Sequence, residues 1–233
     1  MEDKTLTYCD LGFIDYKEAW DLQSEIHSKR VSGEAEDLLF LLEHPNTYTL
    51  GKTAHKENLI SSEDYLKQNK ITVYNIDRGG DITYHGPGQI VGYPIIDLNN
   101  WHKDTHRYLR ALEEVIIKTC KDYNLICERN SKHTGVWIGD RKIAAIGIKV
   151  SRWVTMHGFA FNVNTDLNLF NGIIPCGIQD KTVTSLSKEL GNEIDVSEIK
   201  SKLLDNFIIQ FGYDRSVKVQ KEKILQSNFS TIY

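Results

Sequence analysis

TGVWIGDRKIAAIGIKV, residues 134–150, is the stretch on which the fold turns. Thr134–Ile138 and Arg141–Val150 read as strands, each with β-branched residues in a largely apolar run. Between them, Gly139-Asp140 suits a two-residue hairpin turn. A further strand-like run, Val154–Asn164, follows at once, so three strands are expected with no helix between them. Outward from this block the pattern changes. Asp15 with Glu18 three residues on predicts a capped helix running to about Arg30. A second helix, Asp104 to Tyr123, carries Tyr108, Leu109, Leu112, Val115, Ile116, Cys120 and Tyr123 on one face. A third starts at Asp195 and buries Ile199, Leu203, Phe207 and Phe211. Further strands are predicted at Thr5–Cys9, Asp37–Glu43, Thr47–Leu50 and Ile71–Ile76. Strands and helices do not alternate strictly, so the class is α+β, with a mixed or antiparallel sheet flanked by helices.

Composition narrows the function. The 233 residues carry 28 basic and 32 acidic side chains, a net charge of −4, which argues against sequence-independent nucleic-acid binding. The longest apolar run, Leu38 to Leu42, is far too short for a membrane span. Met1-Glu2-Asp3-Lys4 does not resemble a signal peptide, and the expected location is cytoplasmic. The four cysteines form no C-x-x-C pair, so neither a zinc knuckle nor a redox motif is supported. Cys9, Cys120 and Cys127 fall in apolar patterns and are expected to be buried small hydrophobes. Cys176 differs, standing between Pro175 and Gly177 outside any apolar periodicity.

The densest unusual segment is Arg78-Gly79-Gly80-Asp81-Ile82-Thr83-Tyr84-His85-Gly86-Pro87-Gly88-Gln89. Glycines let backbone amides approach a ligand, and the interleaved polar side chains can fix it, more than a plain hairpin connection needs. Nucleotide motifs fail. Gly51-Lys52-Thr53 lacks the earlier glycine of a phosphate loop, since that position is Asn46. Gly86-Pro87-Gly88 leads into a strand, with Val91 where a dinucleotide fingerprint needs glycine. His102 and His106 are four apart but have no third metal ligand. By simple alternation Lys142 shares a face with Ala144, Ile146, Ile148 and Val150, either reaching water beside the turn or needing a partner. Lys149 points to the other face, towards solvent. A lysine near a thiol would lower its pKa and give a nucleophile near neutral pH, but the pattern alone does not bring Lys142 and Cys176 together.

Five stretches together carry a family resemblance: Arg78–Gln89 continuing to Tyr93, Thr134–Trp137, Arg141–Gly147, Met156–Asn162 and Ile174–Gly177. In order and spacing they resemble the signature of bacterial octanoyltransferases, also called lipoate-protein ligase B, over roughly residues 5–212. The resemblance implies the fold of biotin and lipoate protein ligases for a catalytic domain, residues 1–212, followed by a C-terminal extension, residues 213–233. It implies transfer of an octanoyl group from octanoyl-acyl-carrier protein to a lysine of lipoyl domains in 2-oxoacid dehydrogenase complexes or of the glycine cleavage H protein, the first step of endogenous lipoate synthesis. The acyl group would rest on Cys176 as a thioester, with Lys142 lowering the thiol pKa and no cofactor. Substrate-binding positions would be Arg78, Gly79, Gly80, Asp81, Ile82, Thr83, Tyr84, His85, Ala145, Ile146, Gly147, Gly158, Phe159 and Ala160. The glycines, with Ala145, are expected to keep an acyl slot open. Arg107, Arg110, Lys149 and Arg152 are candidates for a basic patch facing the acidic carrier. The rivals are an ATP-dependent ligase of the same fold and a non-catalytic acyl- or lipoyl-domain-binding module.

Overall fold

Aspartates open the three long helices. In α1 (Tyr16–Ser32) the Asp15 side chain accepts from the amides of Lys17 and Glu18. In the computed structural model, which describes residues 3–174 and 182–226, Asp104 and Asp195 do the same for the helices that follow them, Thr105–Lys121 and Val196–Phe211. Each carboxylate satisfies amides that a helix start leaves orphaned. The strand β1 (Thr5–Phe13) precedes α1, and after α1 come β2 (Leu38–Glu43), β3 (Thr47–Leu50) and α2 (Glu63–Gln68). The strands β4 (Thr72–Asn75), β5 (Ile82–His85) and β6 (Gln89–Ile95) lead into α3 (Thr105–Lys121). Then come β7 (Glu128–Arg129), β8 (Val136–Ile138), β9 (Arg141–Ser151), β10 (Val154–Asn162) and β11 (Thr182–Val183). The described chain closes with α4 (Leu186–Leu190), α5 (Val196–Phe211), β12 (Arg215–Lys218) and α6 (Lys221–Gln226).

The large sheet runs β12-β1-β2-β6-β10-β9-β8-β7, with β11 added beside β9. It is mixed: β1 pairs in parallel with β12 and β2, and β2-β6-β10-β9-β8-β7 is antiparallel throughout. One face carries α1 and α6, packed through Leu22, Ile26, Phe40 and Ile224. The other carries α3 and α5, packed through Leu112, Ile116, Phe161 and Phe207. A small sheet, β4-β3-β5, stands apart with its own core around Tyr48, Tyr84 and Phe170. Past residue 212, β12 pairs with β1, and Val219 and Ile224 are buried. No helix among the described residues is long and apolar enough to cross a membrane.

The hairpin of β8 and β9 closes at Gly139-Asp140, with Ile138 opposite Arg141. Its register then slips: Trp137 faces Lys142, but Val136 faces Ala144. Ile143 is therefore an extra residue, a β-bulge, and it overturns the alternation read from sequence. Ile143 and Ala144 are both fully buried, and Lys142 lines a cavity.

Candidate active site

The cavity, about 540 Å³, lies where the small sheet and the segment after β4 meet the β9–β10 hairpin. That is the size of a small-molecule pocket. It is lined by Arg78 to Thr83, His85, Lys142, Ala145 to Gly147 and Gly158 to Ala160. Tyr84 is placed elsewhere: its ring packs on Tyr48 and Phe170, and its hydroxyl donates to Asn46 Oδ1 at 2.9 Å. Cys176 lies outside the described residues. On either side of its segment, the amide of Ile174 bonds Asn58 O at 2.8 Å, and Val183 pairs with Lys142 and lines the cavity.

One wall is the segment Arg78–Gly80, held in place from Asp77 just before it. Beyond β8 the β9 edge is open, and Gly79 N–H caps it by donating to Ile148 O at 2.9 Å. Lys149 and His157 Nε2 both reach the Asp77 carboxylate, the latter at 2.8 Å, so Lys149 is ion-paired rather than simply solvated. Its carboxyl lies well below the usual range, first through the His157 hydrogen bond and then through Lys149. Arg78 is buried, its guanidinium donating to Thr49 O at 2.8 Å and Thr49 Oγ1 at 2.9 Å. The residues resembling a phosphate loop are stitched to this wall, the amides of Lys52 and Thr53 donating to Arg78 O and Gly80 O.

These contacts revise the role expected of the glycines. A Cβ at Gly147 would stand 2.9 Å from Arg78 Cδ and 3.0 Å from Gly79 O, so that glycine admits the loop onto the strand. A Cβ at Gly158 would stand 2.2 Å from Gly92 O, so that glycine is needed for strand packing. Neither directly holds open a slot for a chain. Next to Gly158, the His157 amide donates to Gln23 Oε1 at 3.0 Å, and His157 takes a positive φ of 59°.

The floor is polar and closed on itself. His85 Nδ1 donates to Gln89 Oε1 at 2.9 Å; Gln89 Nε2 donates to Asn162 Oδ1, also at 2.9 Å. Asn162 donates to Thr184 O, whose amide donates to Lys142 O at 2.9 Å. The bonds thus run from the glycine-rich segment to the backbone of Lys142. Tyr16 and Tyr93 complete the floor. Tyr93 donates to His44 Nε2 at 2.8 Å, because His44 Nδ1–H is given to Ile14 O. Burial holds His85 well below its ordinary pKa and brings His44 to about 4, so both are neutral at physiological pH. Burial also lowers His157, with Asp77 opposing it.

The other thiols are chemically quiet. Cys9, Cys120 and Cys127 are buried, and burial pushes Cys9 up to about 11. Of the basic patch, Lys149 is taken by Asp77, and Arg152 sits in the tight β9–β10 turn with φ 52°. Arg107 lies over the Trp101 ring at 5.7 Å, and Arg110 pairs at 2.7 Å with buried Glu113. Among the described residues no cluster of three His, Cys, Asp or Glu could hold a metal.

Asp77 and Tyr16 are supporting or lining residues that sequence reading does not name, while Gln89, Tyr93, His157 and Asn162 fall in the quoted stretches without a role assigned to them. Asp77 had one local signal, an acid directly before Arg78; the others come together only through the fold.

Comparisons with known proteins agree with this architecture. The family model for the lipoyl protein ligase A/B catalytic domain matches residues 15–208. An octanoyltransferase from Christiangramia forsetii is 50% identical over 222 residues, covering 88% of this chain and 95% of that protein. A crystal structure of lipoate-protein ligase A bound with ATP superposes with a TM-score of 0.72 at 14% identity, covering 99% of this chain and 95% of that one. Biotin protein ligase from Aquifex aeolicus, in complex with biotin and ATP, gives 0.55 at 12% identity over 90% of this chain and 71% of that one. The two structures share the fold; the sequence match is far closer, and by it this chain belongs to the octanoyltransferases, acyltransferases built on the lipoyl protein ligase A/B catalytic domain.

Proposed function

We propose that this chain passes an octanoyl group from acyl-carrier protein to the ε-amine of a lysine on a lipoyl domain, through a thioester on Cys176. The acceptors are the lipoyl domains of 2-oxoacid dehydrogenase complexes and the glycine cleavage H protein. The observation that carries the reading is Lys142, brought by the bulge at Ile143 into a cavity bounded by Arg78–Thr83, Ala145–Gly147 and Gly158–Ala160. The donor thioester is already activated. A Cys176 thiolate attacks its carbonyl, the carbonyl–sulfur bond of the donor breaks, and the departing thiol takes up a proton. One thioester replaces another at little free-energy change. The acceptor amine then attacks the Cys176 thioester, the carbonyl–sulfur bond to Cys176 breaks and releases its thiolate, and the amine loses a proton as the amide forms, which is strongly downhill. The Lys142 ammonium favours the thiolate by opposite charge and gives its proton to the departing carrier thiolate; the neutral amine so formed takes the proton that the acceptor amine loses in the second step, restoring the ammonium. The residues at 78–83, 145–147 and 158–160 hold the acyl group.

Incubating the protein with octanoyl-acyl-carrier protein and a lipoyl domain, after enzymatic removal of all ATP, tests the reading. Octanoylated lipoyl domain is expected. Modification that appears only when ATP is restored would assign the chain to the adenylating ligases instead, and binding without modification to a non-catalytic module.

A further inference from the structure

Lys142 emerges from the bulge into a fitted channel. On one side is Gly135, where a Cβ would stand 3.4 Å from Lys142 Cε and 3.5 Å from Cδ, so the aliphatic stem lies against bare backbone. On the other side is Trp137, directly opposite Lys142 in the β8–β9 ladder, its ring centroid 4.8 Å from Nζ. Both sides are fixed. Trp137 is 1% exposed, and its indole N–H donates to His133 O at 3.3 Å. The amide of Gly135 donates at 3.1 Å to Glu113, a fully buried carboxylate clamped by Arg110 at 2.7 Å and Arg129 at 3.2 Å.

From this geometry we infer that Trp137 is a positioning residue: its indole face holds the Lys142 ammonium as a cation and keeps its side chain aimed into the cavity. The face of an indole carries negative electrostatic potential and attracts a cation, most strongly where water is partly excluded, as it is for half-buried Lys142. An indole face stabilises a cation without adding a counter-charge of its own. The placement of Lys142 stands on the geometry above. Its consequence for Cys176 rests on the proposed reaction.

The test separates the two. Trace acetylation of lysine amines across pH, read by mass spectrometry on the peptide bearing Lys142, reports its titration without reference to activity. In Trp137→Leu that titration is expected to move down by about one pH unit, a tenfold change in proton affinity. Trp137→Phe, which keeps an aromatic face, should move it less, and Lys149 should stay where it is in both. The alkylation profile of Cys176 should shift upward in Trp137→Leu, and the same substitution added to Lys142→Ala should shift it no further. A Lys142 titration unchanged in folded Trp137→Leu, or equal shifts in the Leu and Phe variants, would overturn the inference. Should Trp137→Leu fail to fold, Trp137→Phe decides alone: a downward shift supports the inference, and none overturns it. A Lys142 titration that moves while Cys176 does not would uphold the role of Trp137 and reject the Lys142–Cys176 pairing.

Discussion

Lys142 and Lys149 stand seven residues apart on β9, and the two ends of that strand use them for different purposes. At the Lys149 end the pairing with β10 is regular, and the ammonium closes onto Asp77, pinning the segment before Arg78 to the sheet. At the Lys142 end a bulge breaks the alternation, and the ammonium meets the face of Trp137 inside the cavity. One lysine is a structural staple whose charge is consumed in an ion pair. The other is presented to a site. The lesson is that a lysine's role on a strand is set by its partner and by local register, not by its place in the hydrophobic pattern.

The sharpest way to break this contrast is to remove each lysine in turn. Lys142→Ala should slow acylation of the protein by octanoyl-acyl-carrier protein about 10²–10⁴-fold, the scale for losing a group that assists proton transfer. Lys149→Ala should cost less than about fivefold, since a partly exposed ion pair is worth about 1 kcal/mol or less. Equal losses in stopped-time mass measurements would erase the distinction.

Gly135 tests the channel itself. It adopts φ +126°, and a Cβ there would stand 2.5 Å from Ala144 O. Gly135→Ala should destabilise by about 1–3 kcal/mol, lowering Tm by several degrees, and slow acylation as well by displacing Lys142. Gly139→Ala, in the turn of the same hairpin with nothing within 4 Å, should cost less and leave acylation unchanged. If the two variants melt and react alike, the channel is not a constraint.

Asp77 sharpens the other end. A carboxyl held below its ordinary value of 3.8 stabilises the fold above that pH, and the contribution is lost as pH falls below it. Asp77→Asn should therefore lower Tm modestly at pH 7 and show a shallower fall between pH 4 and pH 2 than the parent. Parallel melting curves over that range would show that the staple contributes nothing.

Much of the frame is legible in the sequence because it is set by local chemistry. Asp15, Asp104 and Asp195 mark helix starts through bonds to amides two and three residues away, and Gly139-Asp140 marks its hairpin. The glycine-rich segment is legible as unusual. Its real topology is not: β5 leaves the large sheet and pairs with β3, a partner some 35 residues earlier, forming a second sheet no local pattern announces. The face of Lys142 is misread by alternation because one extra residue, Ile143, reverses everything on its turn side. Lys149 is misread as solvated because its partner, Asp77, is 72 positions away in the chain. The edge strand β12 and the polar floor of Tyr16, Tyr93 and Asn162 are likewise long-range, made by elements that meet only in the folded chain.

The central claim is that the acyl group passes through a thioester on Cys176, and intact-protein mass spectrometry tests it directly. After incubation with octanoyl-acyl-carrier protein and no acceptor, the protein should gain the mass of one octanoyl group. That adduct should map to Cys176, be cleaved by neutral hydroxylamine, disappear when a lipoyl domain is added, and never form in Cys176→Ala. A protein that octanoylates the lipoyl domain while carrying no adduct, or whose Cys176→Ala variant still transfers, would contradict the account.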